Sequence, residues 1–163
     1  MGILYIVATP IGNLEDITLR ALRILKEVDL VACEDTRQTR KLLDHYDIKT
    51  GTVSYHQHSR VQKIDWLVEQ LQAGKNIALV SDAGTPGISD PGFKLVEAAQ
   101  QADIKVETIP GPSAVIAAAS VAGLPVDKFV FLGFPPHKKG RETFFKNLIN
   151  EDKTIIFYES PHR

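Results

Sequence analysis

The chain has 163 residues, of which 44% are hydrophobic and 24% are charged, as in an ordinary globular protein that buries one substantial core. Its net charge of −1 excludes a general electrostatic attraction to nucleic acid. RNA binding would need local basic clusters such as Arg37/Arg40/Lys41 or residues 137–141, or sequence beyond this chain, and a solvated helix face or loop is the favoured explanation of both clusters. A single cysteine excludes an internal disulfide framework, and no apolar run approaches the roughly eighteen residues of a membrane helix. The composition predicts a cytoplasmic protein that does not contact a membrane.

Apolar runs and helical stripes alternate along the chain. In order, they predict a strand at residues 3–8, a helix at 16–28, a strand at 30–33, a helix at 36–45, a strand at 52–55, a helix at 61–72 and a strand at 77–80. They then predict a helix at 93–102, a strand at 106–109, a helix at 113–122, a strand at 129–133, a helix at 141–150 and a strand at 154–158. This order predicts an α/β fold with a mostly parallel sheet covered by helices on both faces.

The pattern changes at Leu124-Pro125, and this change predicts the domain organisation. Residues 1–123 are expected to form an amino-terminal α/β domain. Residues 124–163 are expected to form a linker and the first elements of a second α/β domain.

Three of the predicted strands run directly into turns rich in proline and glycine. Residues 81–92 contain three glycines and two prolines, which excludes a helix or a central strand. Residues 9–13 and 110–113 follow two other strands in the same way. Ligands bind at the carboxyl ends of parallel strands, so these loops predict a pocket built largely from backbone groups.

The residues in the longest of these loops indicate the kind of ligand. Neither a dinucleotide-binding glycine motif nor a P-loop is present. Asp82 and Asp90 would repel a phosphate but suit a cation, an amine or a ribose hydroxyl. A small cationic cofactor is therefore favoured over a polyphosphate, although both carboxylates are also consistent with turn capping.

Five motifs in fixed order carry a resemblance to a known family. They are Thr9-Pro10-Ile11-Gly12-Asn13, Glu34-Asp35-Thr36-Arg37, Ser81-Asp82-Ala83-Gly84-Thr85-Pro86, Pro110-Gly111-Pro112-Ser113 and Phe157-Tyr158-Glu159-Ser160. Together they resemble the tetrapyrrole methylase superfamily, and within it the bacterial methylases of the ribosomal small subunit. The likeness spans the whole chain.

The resemblance implies a two-domain enzyme, usually a homodimer, that uses S-adenosylmethionine. It implies methylation of the ribose 2′-oxygen of a cytidine in the decoding region of 16S rRNA, with the small ribosomal subunit as partner. The chain would then correspond to the first domain and the opening of the second. The residues implied to contact the cofactor are Asp82, Ala83, Gly84, Thr85, Pro86, Ile88, Pro110, Gly111, Pro112, Ser113, Ala114, Glu159 and Ser160. Those implied to face the acceptor are Thr9, Pro10, Ile11, Gly12 and Asn13.

A ribose hydroxyl is a weak nucleophile, so a nearby base is expected to assist methyl transfer. The candidates are Glu34, Asp35 and His56, with Arg37 steering a phosphate. The acidic pair before Thr36 is also consistent with a helix cap. No metal site is predicted, because the pair formed by His56 and His58 has no further cysteine or histidine nearby.

Two other functions are compatible with the motifs. One is a methylase of the same fold that acts on a tetrapyrrole such as a corrin precursor. The other is a non-catalytic RNA or nucleotide sensor that retains the cofactor pocket.

Overall fold

The computed structural model describes residues 1–55, 61–90 and 92–160. The chain forms two compact units, Met1–Ser113 and Ala114–Arg163. The domain boundary that the sequence suggests, between residues 123 and 124, stays a prediction.

A five-stranded parallel sheet forms the centre of the first unit, with the strand order β3-β2-β4-β1-β5. Its strands are β1 (Ile3–Val7), β2 (Leu30–Cys33), β3 (Thr52–Ser54), β4 (Ile77–Leu79) and β5 (Lys105–Ile109). In the register of β4, β1 and the edge strand β5, Leu4 of β1 lies opposite Ile77 of β4 and Val106 of β5. Because all strands run in one direction, their carboxyl ends meet at one edge of the sheet.

Helices cover both faces of this sheet, as predicted. They are α1 (Leu19–Glu27), α2 (Thr36–His45), α3 (Val61–Gln72) and α4 (Gly92–Gln101). Alternate strand residues point to opposite faces. Leu25 of α1 and Leu43 of α2 are buried in the cluster on one face, and Leu67 of α3 and Leu95 of α4 in the cluster on the other. The α/β fold class is confirmed.

The first helix begins later than the sequence pattern predicts. Thr18 adopts an extended conformation, and its hydroxyl accepts the Ala21 N–H at 3.1 Å, so Thr18 is the N-cap of α1. A short 3-10 helix, Leu14–Asp16, precedes it and is capped by Asn13, whose side chain accepts the Glu15 N–H at 3.1 Å. The helix predicted at residues 16–28 therefore begins at Leu19, because Thr18 caps it, and the 3-10 helix shares only Asp16 with the predicted segment.

The chain passes very close to the end of α3 at Gly2. The Gly2 N–H donates to the Leu71 carbonyl at 2.7 Å. A Cβ atom on Gly2 would lie 1.8 Å from the Lys75 carbonyl oxygen, so glycine is required for this approach.

The second unit contains α5 (Ala114–Val121), β6 (Phe129–Phe131), α6 (Arg141–Leu148) and β7 (Thr154–Ile156). β6 and β7 pair in parallel, with α6 between them in the chain, so they form a βαβ motif. Phe131 and Tyr158 pack edge to face with ring centroids 4.9 Å apart. Across the described parts of both units, no helix is both long and apolar enough to span a bilayer.

Candidate active site

The main loop, residues 81–90, follows β4 and holds its shape through its own hydrogen bonds. The Asp90 carboxylate accepts the backbone N–H groups of Gly87 at 2.7 Å and Gly92 at 2.8 Å. The Ser81 hydroxyl donates to the Gly84 carbonyl at 3.2 Å. Asp90 therefore has the turn-stabilising role that its position in the sequence suggested as one alternative.

The first loop, residues 8–18, follows β1 and is hydrogen-bonded to the main loop. The Thr9 N–H donates to the Gly84 carbonyl at 2.9 Å, and the Gly84 N–H donates to the Thr9 carbonyl at 3.0 Å. The buried Thr9 hydroxyl donates to the Ser81 carbonyl at 3.1 Å. The two loops therefore form one continuous surface.

The β5 turn, residues 110–113, meets both of these loops. The Thr85 hydroxyl donates to the Pro112 carbonyl at 3.4 Å. A Cβ atom on Gly111 would lie 3.0 Å from the Ala8 Cβ, so the turn packs tightly against the end of β1. The three loops that the sequence places at one edge of the sheet do lie together.

Glu34 follows β2 directly and its carboxyl group is partly buried beside the main loop. Burial raises the pKa of this carboxyl above its ordinary value, and the nearby charges of Asp90 and Asp82 raise the pKa further. The Asp82 backbone N–H donates to Glu34 and partly offsets this rise in pKa. A partly buried carboxyl group with a raised pKa is suited to accepting a proton.

The neighbouring Asp35 is in the opposite electrostatic situation. Its carboxylate accepts the Arg37 backbone N–H at 2.8 Å as the N-cap of α2, and binds the Arg37 guanidinium with contacts down to 2.6 Å. These hydrogen bonds lower the pKa of Asp35 to about 2. Its backbone N–H donates to the Asp82 carboxylate at 3.2 Å. Asp35 is thus a helix cap and a weak base.

A cleft of about 270 Å³ opens between the first loop, the main loop and α2. It is lined by three residues of the first loop, two of the main loop and four of α2: Thr9, Pro10, Leu14, Ser81, Asp82, Gln38, Thr39, Lys41 and Leu42. Its wall is mostly apolar and includes a few hydrogen-bonding side chains, which is typical of a small-molecule site.

Thr39 is an unusual part of this wall, because its side chain is buried and polar. Thr39 is 4% exposed, and among the described residues its hydroxyl makes no hydrogen bond to a nitrogen or oxygen atom. The Cys33 thiol interacts with it, but a thiol is a weak hydrogen-bonding group. A buried hydroxyl that is not fully satisfied costs about 1–3 kcal/mol, so the position is costly unless a ligand uses the group.

Several other candidate residues are not among those that line the cleft. Ile88, in the main loop, is 49% exposed. Ala114 begins α5 in the second unit. Glu159 pairs with Arg141 at 2.6 Å and accepts the Ser160 N–H at 2.9 Å. His56 lies outside the described residues. Within those residues, no group of three or more His, Cys, Asp or Glu side chains is placed to hold a metal ion.

Sequence reasoning named Lys41 in a candidate basic cluster, but it did not identify the other cleft residues on α2 as part of a site. Gln38, Thr39, Lys41 and Leu42 belong to a helix whose apolar stripe is explained by packing alone. One signal was available, because Thr39 interrupts the stripe that continues through Leu42 and Leu43. A polar residue at a core position indicates that its hydroxyl faces something other than aliphatic side chains.

Comparison with family models gives a match over nearly the whole chain. The model described as "Tetrapyrrole (Corrin/Porphyrin) Methylases" matches residues 3–163.

Curated relatives are similar along the full chain. Proteins named ribosomal RNA small subunit methyltransferase I are 57% identical in Synechocystis sp. and 55% identical in Escherichia coli O157:H7, covering 100% and 99% of this chain. The relative of the same name in Thermotoga maritima is 50% identical. The chain spans 59% of the Synechocystis protein, 57% of the E. coli protein and 73% of the Thermotoga protein.

Solved structures share the fold. Uroporphyrin-III-C-methyltransferase from Thermus thermophilus aligns with a TM-score of 0.62 at 24% identity, over 81% of this chain and 60% of that one. Diphthine synthase aligns with a TM-score of 0.73 at 16% identity, over 98% of this chain and 66% of that one. With the parallel sheet, the interlocked loops and the family match, these results confirm the resemblance: the chain belongs to the tetrapyrrole (corrin/porphyrin) methylase family.

Proposed function

We propose that the protein is an S-adenosylmethionine-dependent methyltransferase that methylates the ribose 2′-oxygen of a cytidine in the decoding region of 16S rRNA. The observation that carries the proposal is the 50–57% identity, over essentially the whole chain, to proteins named ribosomal RNA small subunit methyltransferase I. The proposed partner is therefore the small ribosomal subunit, and the proposed location is the cytoplasm.

The chemistry of the main loop fits the proposed cofactor. S-adenosylmethionine, when bound, supplies a methyl group on a positively charged sulfur. The carboxylates of Glu34, Asp82 and Asp90 place negative charge beside the loop and complement a cation. The residues proposed to hold the cofactor are Asp82 to Pro86, Ile88, Pro110 to Ala114, Glu159 and Ser160.

Glu34 is the proposed general base. The bound cofactor would supply the methyl group to the acceptor 2′-oxygen, and the carboxylate of Glu34 would accept the proton that this hydroxyl loses. The raised pKa of Glu34 matches this role better than the lowered pKa of Asp35.

Asp35 and Arg37 have a different proposed role. Asp35 positions the start of α2 through its cap, and Arg37 presents an exposed guanidinium that suits a phosphate of the RNA backbone. The first-loop residues Thr9 to Asn13 are proposed to face the acceptor. His56 remains a proposed participant from the sequence alone.

The deciding experiment is transfer of labelled methyl from S-adenosylmethionine by the full-length protein that contains this sequence. The acceptors are small ribosomal subunits lacking the modification and, in parallel, uroporphyrinogen III. Label on a cytidine 2′-oxygen of 16S rRNA supports the proposal. Label on the tetrapyrrole alone would identify a porphyrin or corrin methylase, and cofactor binding without transfer to either acceptor would favour a sensor.

A homodimer is the remaining part of the proposal, and it comes from the family resemblance. Light scattering on the full-length protein tests it directly. A mass of two chains supports the homodimer, and a mass of one chain contradicts it.

A further inference from the structure

The cleft beside α2 is the right size for one ring system. Its volume of about 270 Å³ lies below the roughly 300–1,000 Å³ of sites that enclose drug-sized ligands. This volume favours a single ring system over a whole S-adenosylmethionine molecule. A single nucleobase can enter while its ribose stays outside, next to the main loop.

The apolar part of the cleft wall suits the faces of a flat ring. Pro10 and Leu42 are buried, and Leu14 is 39% exposed. These three side chains come from the first loop and from α2, and all three line the cleft. Apolar side chains on either side of a ring exclude water from its faces, as in many sites for unpaired bases.

The polar part of the wall suits the edge of a nucleobase. The Thr39 hydroxyl has unused hydrogen-bonding capacity although Thr39 is almost fully buried. Gln38 adds an amide that both donates and accepts. The Lys41 ammonium group donates to the Gln38 side-chain oxygen at 3.2 Å, which orients the amide and places a positive charge at the cleft wall.

The Asp82 carboxylate suits cytosine better than uracil. It lines the cleft, and one of its carboxylate oxygens accepts the Asp35 N–H at 3.2 Å. A carboxylate accepts a hydrogen bond from the exocyclic amine of cytosine but repels the O4 carbonyl that uracil has in the same place. The Asp82 N–H also donates to Glu34, so a base bound at Asp82 lies beside the proposed general base.

We infer that this cleft binds the cytosine base of the acceptor nucleotide, unstacked from the RNA, and that Gln38, Thr39 and Asp82 read its edge. This inference rests on the proposed function, and it assigns acceptor specificity to α2 and the first loop. Of the residues proposed to hold the cofactor, Asp82 then serves the base through its carboxylate, and the cofactor is left to residues 83–86, Ile88 and the β5 turn.

A binding measurement tests the cleft without any methyl transfer. Cytidine, uridine and S-adenosylmethionine are each titrated into the isotopically labelled full-length protein and followed by NMR. We expect cytidine to shift the resonances of Thr39 and Leu42, and uridine to shift them several-fold less at equal concentration. Absence of cytidine-induced shifts, equal shifts with uridine, or shifts of these residues by S-adenosylmethionine alone would each overturn the inference.

A kinetic measurement with matched variants tests the role of the cleft in the reaction. Gln38 is an exposed residue of α2 that lines the cleft, so Gln38→Trp introduces a large side chain at the cleft wall. This variant should raise KM for small ribosomal subunits about tenfold or more. Thr39→Val keeps the side-chain volume and should raise the same KM about threefold to tenfold. KM for S-adenosylmethionine should stay unchanged in both variants.

The control is Gln100→Trp, on the exposed surface of α4 and on the opposite face of the sheet. It should behave like the unsubstituted protein. Active protein whose subunit KM is unaffected by both cleft substitutions would refute the inference and leave the proposed function standing. Failure of all methyl transfer would refute the proposed function, and the cytidine titration would still decide whether the cleft binds the base.

Discussion

The two compact units bury apolar surface in different ways. In the first unit, aliphatic side chains on both faces of the sheet are fully buried, among them Leu25 and Leu67 at 0% exposure. In the second unit, the buried hydrophobic residues within the described range are Val115 and Ala119. Its aromatic residues pack edge to face while staying partly exposed, and its sheet has two strands. Two-stranded sheets are weakly stable by themselves, so the rigid support for chemistry is in the first unit.

The largest expected effect tests whether the first unit carries the chemistry. Glu34→Gln should lower kcat for methyl transfer by about 10²- to 10⁴-fold, because it removes the proposed base and keeps the side-chain shape. In the unsubstituted protein, kcat should fall as the pH decreases through the raised pKa of Glu34, because protonated Glu34 cannot accept a proton. Initial rates from pH 5 to 9 measure both effects.

The matched control for this prediction is Glu142→Gln in α6, where an exposed glutamate pairs with Lys146. It should leave kcat unchanged. A Glu34→Gln variant with an unchanged rate and pH profile would show that another group accepts the proton.

Truncating one packed side chain in each unit should show that the first unit loses more unfolding free energy than the second. Leu67→Ala removes a fully buried side chain and should cost about 2–5 kcal/mol of unfolding free energy in the first unit. Phe145→Ala removes a ring that is 37% exposed and should cost about 1 kcal/mol. Amide hydrogen exchange resolved by residue measures the change in each unit separately. Equal losses would mean that the two units are equally well packed.

A smaller effect is expected at the close approach of Gly2. Gly2→Ala places a Cβ against the Lys75 carbonyl and should destabilise the first unit by about 1–3 kcal/mol. Gly51→Ala is the control, because the nearest atom to its added Cβ is Leu30 Cδ1 at 3.9 Å. Denaturant unfolding should show Gly51→Ala unchanged or slightly stabilised, since alanine restricts the unfolded chain. A Gly2→Ala variant as stable as Gly51→Ala would mean that the chain relaxes at this point without cost.

The smallest expected effect is the difference in pKa between the adjacent carboxyl groups of Glu34 and Asp35. Asp35 should titrate near pH 2 because of its hydrogen bonds with Arg37, and Glu34 should titrate above its ordinary range. Since the folded pKa of Asp35 is lowered, its contribution to stability is present above about pH 4 and is lost as the pH falls towards 2. Side-chain carboxyl NMR follows both groups. Arg37→Gln should raise the Asp35 pKa and leave Glu34 unchanged, and an unmoved Asp35 pKa would show that the cap alone sets it.

The elements of the first unit were predictable because local pattern and tertiary packing agree. Residues 36–45 and 61–72 were predicted as helices and form α2 and α3 within those bounds. Their apolar stripes match the faces that pack on the sheet. The start of α1 was not predictable from the stripe, because the Thr18 cap overrides it.

For the site, the sequence predicted the loops that form it but not the cleft. Proline and glycine mark the loops, and parallel topology brings them to one edge. Glu34 and Asp35 are adjacent carboxylates that look alike in sequence, and burial of one and ion pairing of the other distinguish them. The cleft was not predictable, because it depends on how α2 packs against the first loop.

The paired hydrogen bonds between Thr9 and Gly84 have a consequence for the entropy of binding. Together with the Asp90 turn, they fix the backbone of two loops before any ligand arrives. Ordering a free loop costs about 1–2 kcal/mol per residue in backbone entropy, and here that cost falls on folding of the first unit. A ligand that enters the edge of the sheet therefore loses its own freedom while the loops lose little more.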